Sequence, residues 1–517
     1  MKKVSHEVKE LMRELLSEGL SAEGFVFDTA VAAYLLAPTD GSYHLERLAV
    51  QYFPQEFAQS GQEILQAKAY LAPDAFSPLG DRAPALGAFA SHCAWIEALY
   101  GLLAKRLRDL SLNRLFESVE LPLCQVLAEM EVAGFLVDRT ALEDFGLHLK
   151  TRIDEIQREI LALAGEEFNI NSTQQLGVIL FEKLGLPPVK RTKTGYSTSV
   201  EVLEKLQGKH PIIDYIMEYR QLAKLNSTYV EGLGKVIGPD GRIHTCFQNT
   251  VTATGRLSST EPNLQNIPVR TALGAKMRYM FVAAPGNVLV DADYSQIELR
   301  LLAHIAGDEA MLEAFRSGAD IHTSTAAQVF GVPPESVTGE MRRRAKAVNF
   351  GIVYGISEFS LAQDIGVTRR EAGEYMERYF DTFRGVRAYM YDVVKQARRD
   401  GYVQTLMGRR RWLPELQSSN FNLRSFGERV ALNMPIQGTA ADIMKVAMIR
   451  VRDRLLREGH TARLVLQVHD ELIVECPEAE AEGVKRLLRE EMEGAAQLSV
   501  PLLAEASAGK SWGEAKG

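Results

Sequence analysis

Two aspartates, Asp293 and Asp470, each follow an apolar run of β-forming residues, in segments 287–294 and 463–476. If the two runs are neighbouring strands, both carboxylates emerge at one edge of a sheet, where their mutual repulsion favours a divalent cation. Two Mg²⁺ ions ~4 Å apart can activate an attacking hydroxyl and stabilise the leaving oxygen in phosphoryl transfer. Aspartate is also abundant in turns, so the spacing alone leaves a purely structural role open.

A second candidate group occupies every fourth position of residues 341–355, where Arg342, Lys346, Phe350 and Tyr354 would line one face of a helix. Cations suit the phosphates of a nucleoside triphosphate, and aromatic rings suit its sugar and base. Alternatively, the rings are core residues and the cations reach past them to solvent. That alternative explains less well why Arg342 and Lys346 share the face of the rings.

A third group is a polar segment, residues 253–270, with two prolines and little apolar periodicity. Its side-chain donors are Arg256, Asn263, Gln265, Asn266 and Arg270. Every base pair presents acceptors in the minor groove, so such donors can test pairing geometry without reading sequence. An ordinary polar loop has the same composition, and the segment alone does not separate the two interpretations.

These groups need a sheet and helices to position them. Residues 287–294 (NVLVDADY) predict a buried strand, and residues 463–476 predict a hairpin whose tight turn exposes Asp470. Helical patterns fill the chain between about 306 and 460, and a long amphipathic helix is predicted over 140–164. Strands that bracket a helical insertion indicate an α+β fold, with a polar, exposed loop over 190–199.

The net charge of −8 matters less than three local basic patches, at 190–193, 342–346 and 409–411. Phosphates are bound by such patches and not by the average charge of a chain. One patch alone would be an ordinary solvated surface. Three patches in an acidic chain favour a channel for a polyanion.

The bulk sequence sets further limits. A chain of 517 residues is too long for one hydrophobic core, so we expect several domains. No apolar run approaches the ~20 residues of a membrane helix, so we expect no membrane contact. The cysteines lie far apart without CxxC spacing, which argues against a zinc ribbon or a disulfide scaffold and predicts a cytoplasmic location.

Five segments together resemble a known family. DYSQIELR (293–300), RRRAKAVNFGIVYG (342–355) and QVHDEL (467–472) are similar to motifs A, B and C of family A DNA polymerases. TGRLSSTEPNLQNIPVR (254–270) and NMPIQGTAAD (433–442) also match, in the family's order. The resemblance covers roughly residues 112 to 517.

The resemblance implies an α+β multidomain, right-hand polymerase with an antiparallel palm sheet and helical fingers and thumb. An N-terminal truncated α/β exonuclease-like domain would occupy 1–110, and the polymerase domain 111–517. Within the latter we expect the thumb at about 125–245, the fingers at about 306–435, and the palm at about 246–305 and 436–517.

The implied activity is template-directed addition of deoxynucleotides to a primer 3′ end, in DNA replication and repair. The implied partners are primer–template DNA and deoxynucleoside triphosphates. The implied cofactors are two Mg²⁺ ions, for which Mn²⁺ could substitute, and the protein would act as a monomer. Asp293 and Asp470 would be the catalytic metal ligands, helped by the Tyr294 backbone carbonyl. Lys346 would be catalytic and would contact the triphosphate together with Arg342 and His322.

Further roles follow from the matched positions. Phe350 would stack near the sugar and base, and as Phe in place of Tyr it implies discrimination against dideoxynucleotides. Tyr354 would lie beside the templating base, Glu298 would crowd a ribose 2′-hydroxyl, and Gln296 would support the active site. The implied DNA contacts, besides those of the polar segment, are Arg429, Asn433, Gln437, His469, Lys190, Arg191 and Lys193.

The first domain departs from the family's 3′–5′ exonuclease. FDTAVAAYLL (27–36) resembles its second motif, so Asp28 matches one metal carboxylate. The third motif normally reads Tyr-x-x-x-Asp, whereas Phe89 and Cys93 stand at the corresponding positions. Too little chain precedes Asp28 for the first motif, and we see no 5′-nuclease segment. A two-metal nuclease with one remaining carboxylate cannot be assembled, so we expect no proofreading.

Two alternatives remain. One is a single-subunit RNA polymerase or a dedicated reverse transcriptase on the same scaffold; Glu298 argues against the RNA polymerase, and nothing in the sequence excludes some reverse transcription. The other is a DNA-binding paralogue without activity, against which the intact Asp293, Lys346 and Asp470 argue.

Overall fold

The computed structural model describes residues 1–58, 83–192, 195–268 and 271–516. Its centre is a four-stranded antiparallel sheet with the order Arg463–Val468, Glu471–Pro477, Asn287–Tyr294, Ala504–Gly509. The strand Asn287–Tyr294 lies inside this sheet and is buried over most of its length, which accounts for its almost unbroken apolar sequence. The predicted strand, the predicted hairpin and the α+β architecture are confirmed.

The register of the sheet decides which side chains meet. Glu471 pairs with Asp293 across the two central strands. Asp470, one residue earlier in the turn, accepts a hydrogen bond from the Tyr294 amide through its carbonyl, at 3.0 Å. His469 takes a φ of +52° in the same turn, a conformation that non-glycine residues adopt rarely. The turn therefore delivers Asp470 to the end of the strand that carries Asp293.

Helices make up most of the remaining structure. The α-helices of the described residues include Val8–Ser17, Thr29–Leu36, Leu45–Tyr52, Ala83–Asp109, Asn113–Leu115, Leu121–Ala133, Arg139–Ala164, Thr173–Val178, Val200–Glu204, Ile212–Lys224, Gly232–Gly234, Ala272–Lys276, Ile297–Ala306, Glu309–Arg316, Ile321–Phe330, Gly339–Val353, Glu358–Ile365, Arg369–Thr382, Arg384–Asp400, Phe421–Arg457, Ala481–Glu493 and Trp512–Lys516. Wider π-helical turns occur at Phe116–Glu120, Ile179–Lys183 and Leu225–Glu231. Narrow 3₁₀ turns occur at Leu264–Asn266, Met277–Met280, Pro334–Ser336, Pro414–Gln417 and Glu478–Glu480.

Short strand pairs join these helices. The pairs are Lys3–Ser5 with Phe25–Asp28, Phe135–Leu136 with Arg242–Ile243, Arg191–Thr192 with Gly195–Tyr196, Cys246–Gln248 with Ser258–Thr260, and Tyr402–Gln404 with Arg410–Trp412. The last pair interrupts the region predicted to be helical from 306 to 460. Its three-residue strands are too short for a period-2 pattern to reveal them.

The ends of the two helices predicted from sequence have identifiable causes. The helix Arg139–Ala164 begins where the Asp138 carboxylate accepts from the Ala141 amide at 2.9 Å, and it ends at Gly165 in the left-handed region. The helix Gly339–Val353, called here the stripe helix, begins where the Thr338 hydroxyl accepts from the Met341 amide. Both helices are confirmed within a residue or two of their predicted bounds.

The described hydrophobic residues form two large cores and a smaller one. The largest surrounds the central sheet and extends through the helices on either side. A separate N-terminal core packs residues 8–49 against the helix Ala83–Asp109 and the start of the helix Leu121–Ala133. In the described parts of the chain, every helix is too short or too polar to cross a lipid bilayer.

Candidate active site

Asp293 and Asp470 lie at neighbouring positions at one end of the central sheet, as predicted from the two apolar runs. Burial, and then the charge of Asp293, raises the pKa of Asp470 to about 6. Burial is also the main reason why the pKa of Asp293 is raised. A cation near this pair would reverse both effects, because it favours the ionised forms.

Two more carboxylates and one lysine complete the acidic cluster. The Lys516 ammonium lies 2.8 Å from Asp293 Oδ2 and 2.6 Å from Glu471 Oε2. Trp512 Nε1 donates to the other oxygen of Glu471 at 2.7 Å. Asp291 lies on the same face of its strand as Asp293, and burial together with Glu471 raises its pKa to about 9. Sequence reasoning missed Lys516, because it reaches this edge only through the last helix of the fold.

The donor atoms of this cluster fit a divalent cation. Asp293 Oδ1 and Asp291 Oδ2 are buried and accept no hydrogen bond from the described residues. Buried carboxylate oxygens without donors are costly unless a cation or water meets them. Carboxylate oxygens and backbone carbonyls are also the hard ligands that Mg²⁺ takes.

A cavity of about 330 Å³ opens beside the acidic pair. It is lined by Asp470 and His469 from the turn, by Phe350 and Tyr354 from the stripe helix and its end, and by Arg256 and Glu298, among others. A larger cavity of about 410 Å³ lies elsewhere, between the N-terminal core and residues 248–251. We take the smaller one as the candidate site because it joins acidic, cationic and aromatic groups in one space.

Glu298 forms one wall of this cavity. Its side chain is 10% exposed, pairs with the Arg256 guanidinium, and accepts from the Tyr354 hydroxyl at 2.8 Å. Burial and the neighbouring Glu298 raise the pKa of Tyr354 to about 12, so its hydroxyl is a donor at neutral pH. The three side chains hold one another in place and fix the width of the cavity on this side.

The predicted stripe lies along one face of the stripe helix. Lys346 and Arg342 are exposed, and Arg342 Nε contacts Asp320 Oδ2 at 2.5 Å. Phe350 is half-buried, and Tyr354 follows the last helical residue. The helix therefore presents its cations to solvent and its aromatic end to the cavity.

His322 lies beneath Phe350, with ring centroids 5.8 Å apart. His322 is 3% exposed, and its Nδ1 accepts a hydrogen bond from Asn349 Nδ2 at 2.9 Å. Burial lowers the pKa of His322 to about 4, so the ring is neutral at pH 7. Its predicted contact with a triphosphate would then be a hydrogen bond and not an ion pair.

The polar segment is anchored next to the hairpin turn. Gln265 Nε2 donates to both the backbone and the side-chain oxygen of Gln467, at 3.2 and 3.0 Å. Asn263 accepts from the Gln265 amide, and the Asn266 carbonyl accepts from the Tyr229 hydroxyl. Arg270 lies outside the described residues.

Further predicted DNA contacts lie on the helix Phe421–Arg457. Arg429, Asn433 and Gln437 are four residues apart and so share a face. Asn433 Oδ1 is buried without a hydrogen-bond partner among the described residues. Gln296 precedes a different helix, Ile297–Ala306, with a φ of +55°.

In the basic patch at 190–193, Arg191 lies in the first strand of a small hairpin, Arg191–Thr192 with Gly195–Tyr196. Arg191 lies over the Tyr196 ring, 4.9 Å from its centroid, and Lys190 is exposed. Lys193 lies outside the described residues. For the patch at 409–411 the prediction of a polyanion channel is wrong at Arg409, which is 1% exposed and pairs with Glu120 and Asp442.

Comparison with known proteins then decides the family. The model of DNA polymerase family A matches residues 139–514. The chain belongs to DNA polymerase family A. This confirms the resemblance inferred from the five sequence segments.

Two relatives from this polymerase family are similar in sequence to the whole chain. DNA polymerase I of Bacillus subtilis (strain 168) is 49% identical over 517 residues, which are 100% of this chain and 58% of that protein. DNA polymerase I of Geobacillus stearothermophilus is also 49% identical, over the same shares. The chain thus spans somewhat more than half the length of these relatives.

A solved structure agrees with the fold of this family A chain. The POL domain of Pol1 from M. smegmatis, in complex with DNA primer-template and dNTP, superposes with a TM-score of 0.89 at 41% identity. The match covers 99% of this chain and 86% of that one.

In this family A chain, Asp28 ends the strand Phe25–Asp28 and caps the helix Thr29–Leu36. Its carboxylate accepts from the backbone amides of Ala30, Val31, Glu7 and Val8, at 2.7–3.3 Å. Burial raises the pKa of Asp28 to about 6 despite these donors. The side chain is thus fully engaged by backbone groups.

Proposed function

We propose that this chain is a template-directed DNA polymerase that adds deoxynucleotides to a primer 3′ end. The observation that carries the proposal is the cavity that Asp470 lines together with Glu298 and the aromatic end of the stripe helix. Similar proteins support the same conclusion. The two relatives are DNA polymerase I proteins, and the similar M. smegmatis domain is in complex with DNA primer-template and dNTP.

The reaction is phosphoryl transfer, which needs positioning and charge neutralisation more than covalent help from the protein. Two Mg²⁺ ions held by Asp293, Asp470 and the Tyr294 carbonyl would supply activation of the primer hydroxyl and neutralisation of phosphate charge, and Mn²⁺ can substitute. Arg342 and Lys346 bind the triphosphate, and their charges stabilise the transition state.

The remaining cavity residues select the nucleotide. Phe350 stacks against sugar and base, Tyr354 lies beside the templating base, and Glu298 crowds a ribose 2′-hydroxyl. His322 and Gln296 support the triphosphate side of the site. Movement of the stripe helix over a correctly paired nucleotide would assemble these groups only for the right substrate.

The DNA duplex is bound by side chains around the turn and along the long helix. The residues proposed for this role are Arg256, Asn263, Gln265, Asn266, Arg270, Arg429, Asn433, Gln437, His469, Lys190, Arg191 and Lys193. In the terms of a right hand, the central sheet is the palm, the helices around the stripe helix are the fingers, and residues of about 125–245 are the thumb. The enzyme acts as a monomer in the cytoplasm, in replication and repair.

We further propose that the N-terminal core is an exonuclease-like domain without proofreading activity. Asp28, its one recognisable metal carboxylate, is engaged by four backbone amides and serves as a helix cap. Phe89 and Cys93 replace the Tyr and Asp that the third nuclease motif requires. In this chain Asp28 thereby has a structural role as the cap of the helix Thr29–Leu36.

One experiment tests both proposals. A fluorescent primer–template is incubated with Mg²⁺ and four deoxynucleotides, with Mg²⁺ and four ribonucleotides, and with Mg²⁺ alone. We expect extension with the deoxynucleotides but not with the ribonucleotides. We also expect the primer to keep its length in the incubation with Mg²⁺ alone. Extension with ribonucleotides would favour the RNA polymerase, and primer shortening would overturn the loss of proofreading. Binding without extension would favour an inactive paralogue.

A further inference from the structure

The N-terminal core reaches the candidate site through one buried tyrosine. Tyr34, on the helix Thr29–Leu36, is fully buried, and its hydroxyl donates to the Thr252 carbonyl at 2.8 Å. The same carbonyl accepts from the Gly255 amide at 3.3 Å and so closes a tight turn. Tyr34 therefore binds the same carbonyl that closes this turn.

The turn leads directly to a residue of the cavity. The Thr252 hydroxyl donates to the Arg256 carbonyl at 2.6 Å, which fixes the backbone of Arg256 relative to the turn. The Arg256 side chain pairs with Glu298 inside the cavity. A displacement of Thr252 would thus move the wall that Arg256 and Glu298 form together.

Arg409 packs against the same turn, and its guanidinium lies 6.0 Å from the centroid of the Tyr34 ring. Gly255 has a φ of +86°, and a Cβ placed on it would lie 2.5 Å from Arg409 Nε, so only glycine fits against this guanidinium. Arg409 is fixed in turn by Asp442 at 2.8 Å and by Glu120. The turn therefore lies between a buried, ion-paired guanidinium and the hydroxyl of Tyr34.

We propose that Tyr34 is a positioning residue for the polymerase site: its hydroxyl sets the turn that places Arg256 against Glu298. The inference rests on the proposed polymerase function. It also gives the N-terminal core a task other than nuclease chemistry, since Asp28 caps the helix that carries Tyr34.

Tyr43 offers a matched control. Its ring packs edge-on against that of Tyr34 with centroids 5.8 Å apart, and it is 7% exposed. Its hydroxyl donates to the Ala37 carbonyl at 2.5 Å, so its partner lies within the N-terminal core. Tyr43→Phe removes a hydrogen bond of the same kind without touching the turn at Thr252.

The first measurement is hydrogen exchange of the segment 252–257 in Tyr34→Phe, Tyr43→Phe and the unchanged protein. Loss of one buried hydrogen bond should speed exchange in Tyr34→Phe about fivefold and leave it unchanged in Tyr43→Phe. Equal exchange in the two variants would overturn the proposal. This result does not depend on any activity, so it stands even if the unchanged protein extends no primer, which would count against the polymerase proposal alone.

The second measurement is the selectivity for deoxynucleotides over ribonucleotides, as a ratio of kcat/KM values. Tyr34→Phe should lower this ratio about fivefold, and Tyr43→Phe should leave it unchanged. Placed in an Arg256→Ala background, Tyr34→Phe should add nothing, because the group that it positions is gone. An equal further loss in that background would mean that Tyr34 acts on overall stability and not through Arg256.

Discussion

The proposed exclusion of ribonucleotides by Glu298 gives the sharpest quantitative prediction. Glu298→Ala removes a carboxylate that pairs with Arg256 and accepts from Tyr354 at 2.8 Å in one wall of the cavity. In the unchanged protein, a ribose 2′-hydroxyl pressed against this wall would break a hydrogen bond of the Glu298 side chain and leave a polar group unsatisfied, at a cost of ~1.5–3 kcal/mol. Since 1.4 kcal/mol is tenfold, the relative kcat/KM for ribonucleotides should rise about 10- to 150-fold in Glu298→Ala.

The assay is single-nucleotide extension of a primer with a ribonucleotide or the matching deoxynucleotide. Glu298→Gln is the matched control, because it keeps the volume of the side chain and removes its charge. If crowding excludes the hydroxyl, Glu298→Gln retains most of the selectivity. Unchanged selectivity in Glu298→Ala would refute the role of Glu298 in excluding ribonucleotides. Equal losses of selectivity in the two variants would show that the charge of Glu298, and not crowding, excludes the hydroxyl.

Three further predictions concern the groups around the site. Lys516→Met removes the ammonium that meets Asp293 at 2.8 Å, so Mg²⁺ should raise the melting temperature more than in the unchanged protein; an equal rise would mean that Lys516 does not compete with the metal. His322 has its pKa lowered from 6.5 to about 4, and because the unfolded imidazole takes a proton first as the pH falls, about 3 kcal/mol of unfolding free energy should be lost from about pH 6.5 down to 4. Denaturant titrations of His322→Gln should show a smaller loss over this window, and an equal loss would contradict the neutral, buried ring. Glu120→Gln leaves the buried Arg409 and Lys445 without their shared counter-charge and should cost about 3–5 kcal/mol of unfolding free energy, whereas the exposed Glu117→Gln should change it by less than about 0.5 kcal/mol. Similar values for Glu120→Gln and Glu117→Gln would show that the buried cations find other partners.

Much of the fold could be predicted from local sequence patterns. The strand Asn287–Tyr294 and the hairpin at 463–477 have apolar runs that end in acidic residues, and their pairing follows from the tight turn between the hairpin strands. The stripe helix was predictable because cationic and aromatic residues recur at every fourth position of its sequence. The adjacency of Asp293 and Asp470 then followed from the sheet alone, while their role as metal ligands remains a prediction.

What the sequence could not supply depends on distant contacts. Arg409 looks like its neighbours Arg410 and Arg411, and only the fold places it between Glu120 and Asp442. Lys516 and Asp293 are far apart in the chain, so no spacing rule joins them. Tyr34 belongs to a segment that resembles a nuclease motif, and nothing local indicates its bond to Thr252.

The most direct test of the central claim is primer extension by Asp470→Asn, with primer–template binding measured on the same protein. The substitution keeps the shape of the side chain and removes the charge that pairs with the proposed metal ions. Glu505→Gln is the control, since Glu505 is exposed and faces Asp293 from the neighbouring strand. We predict a fall in extension of at least about 10²-fold for Asp470→Asn, with binding retained and Glu505→Gln close to the unchanged protein. Extension that survives Asp470→Asn would contradict the assignment of the acidic pair as the metal-binding centre.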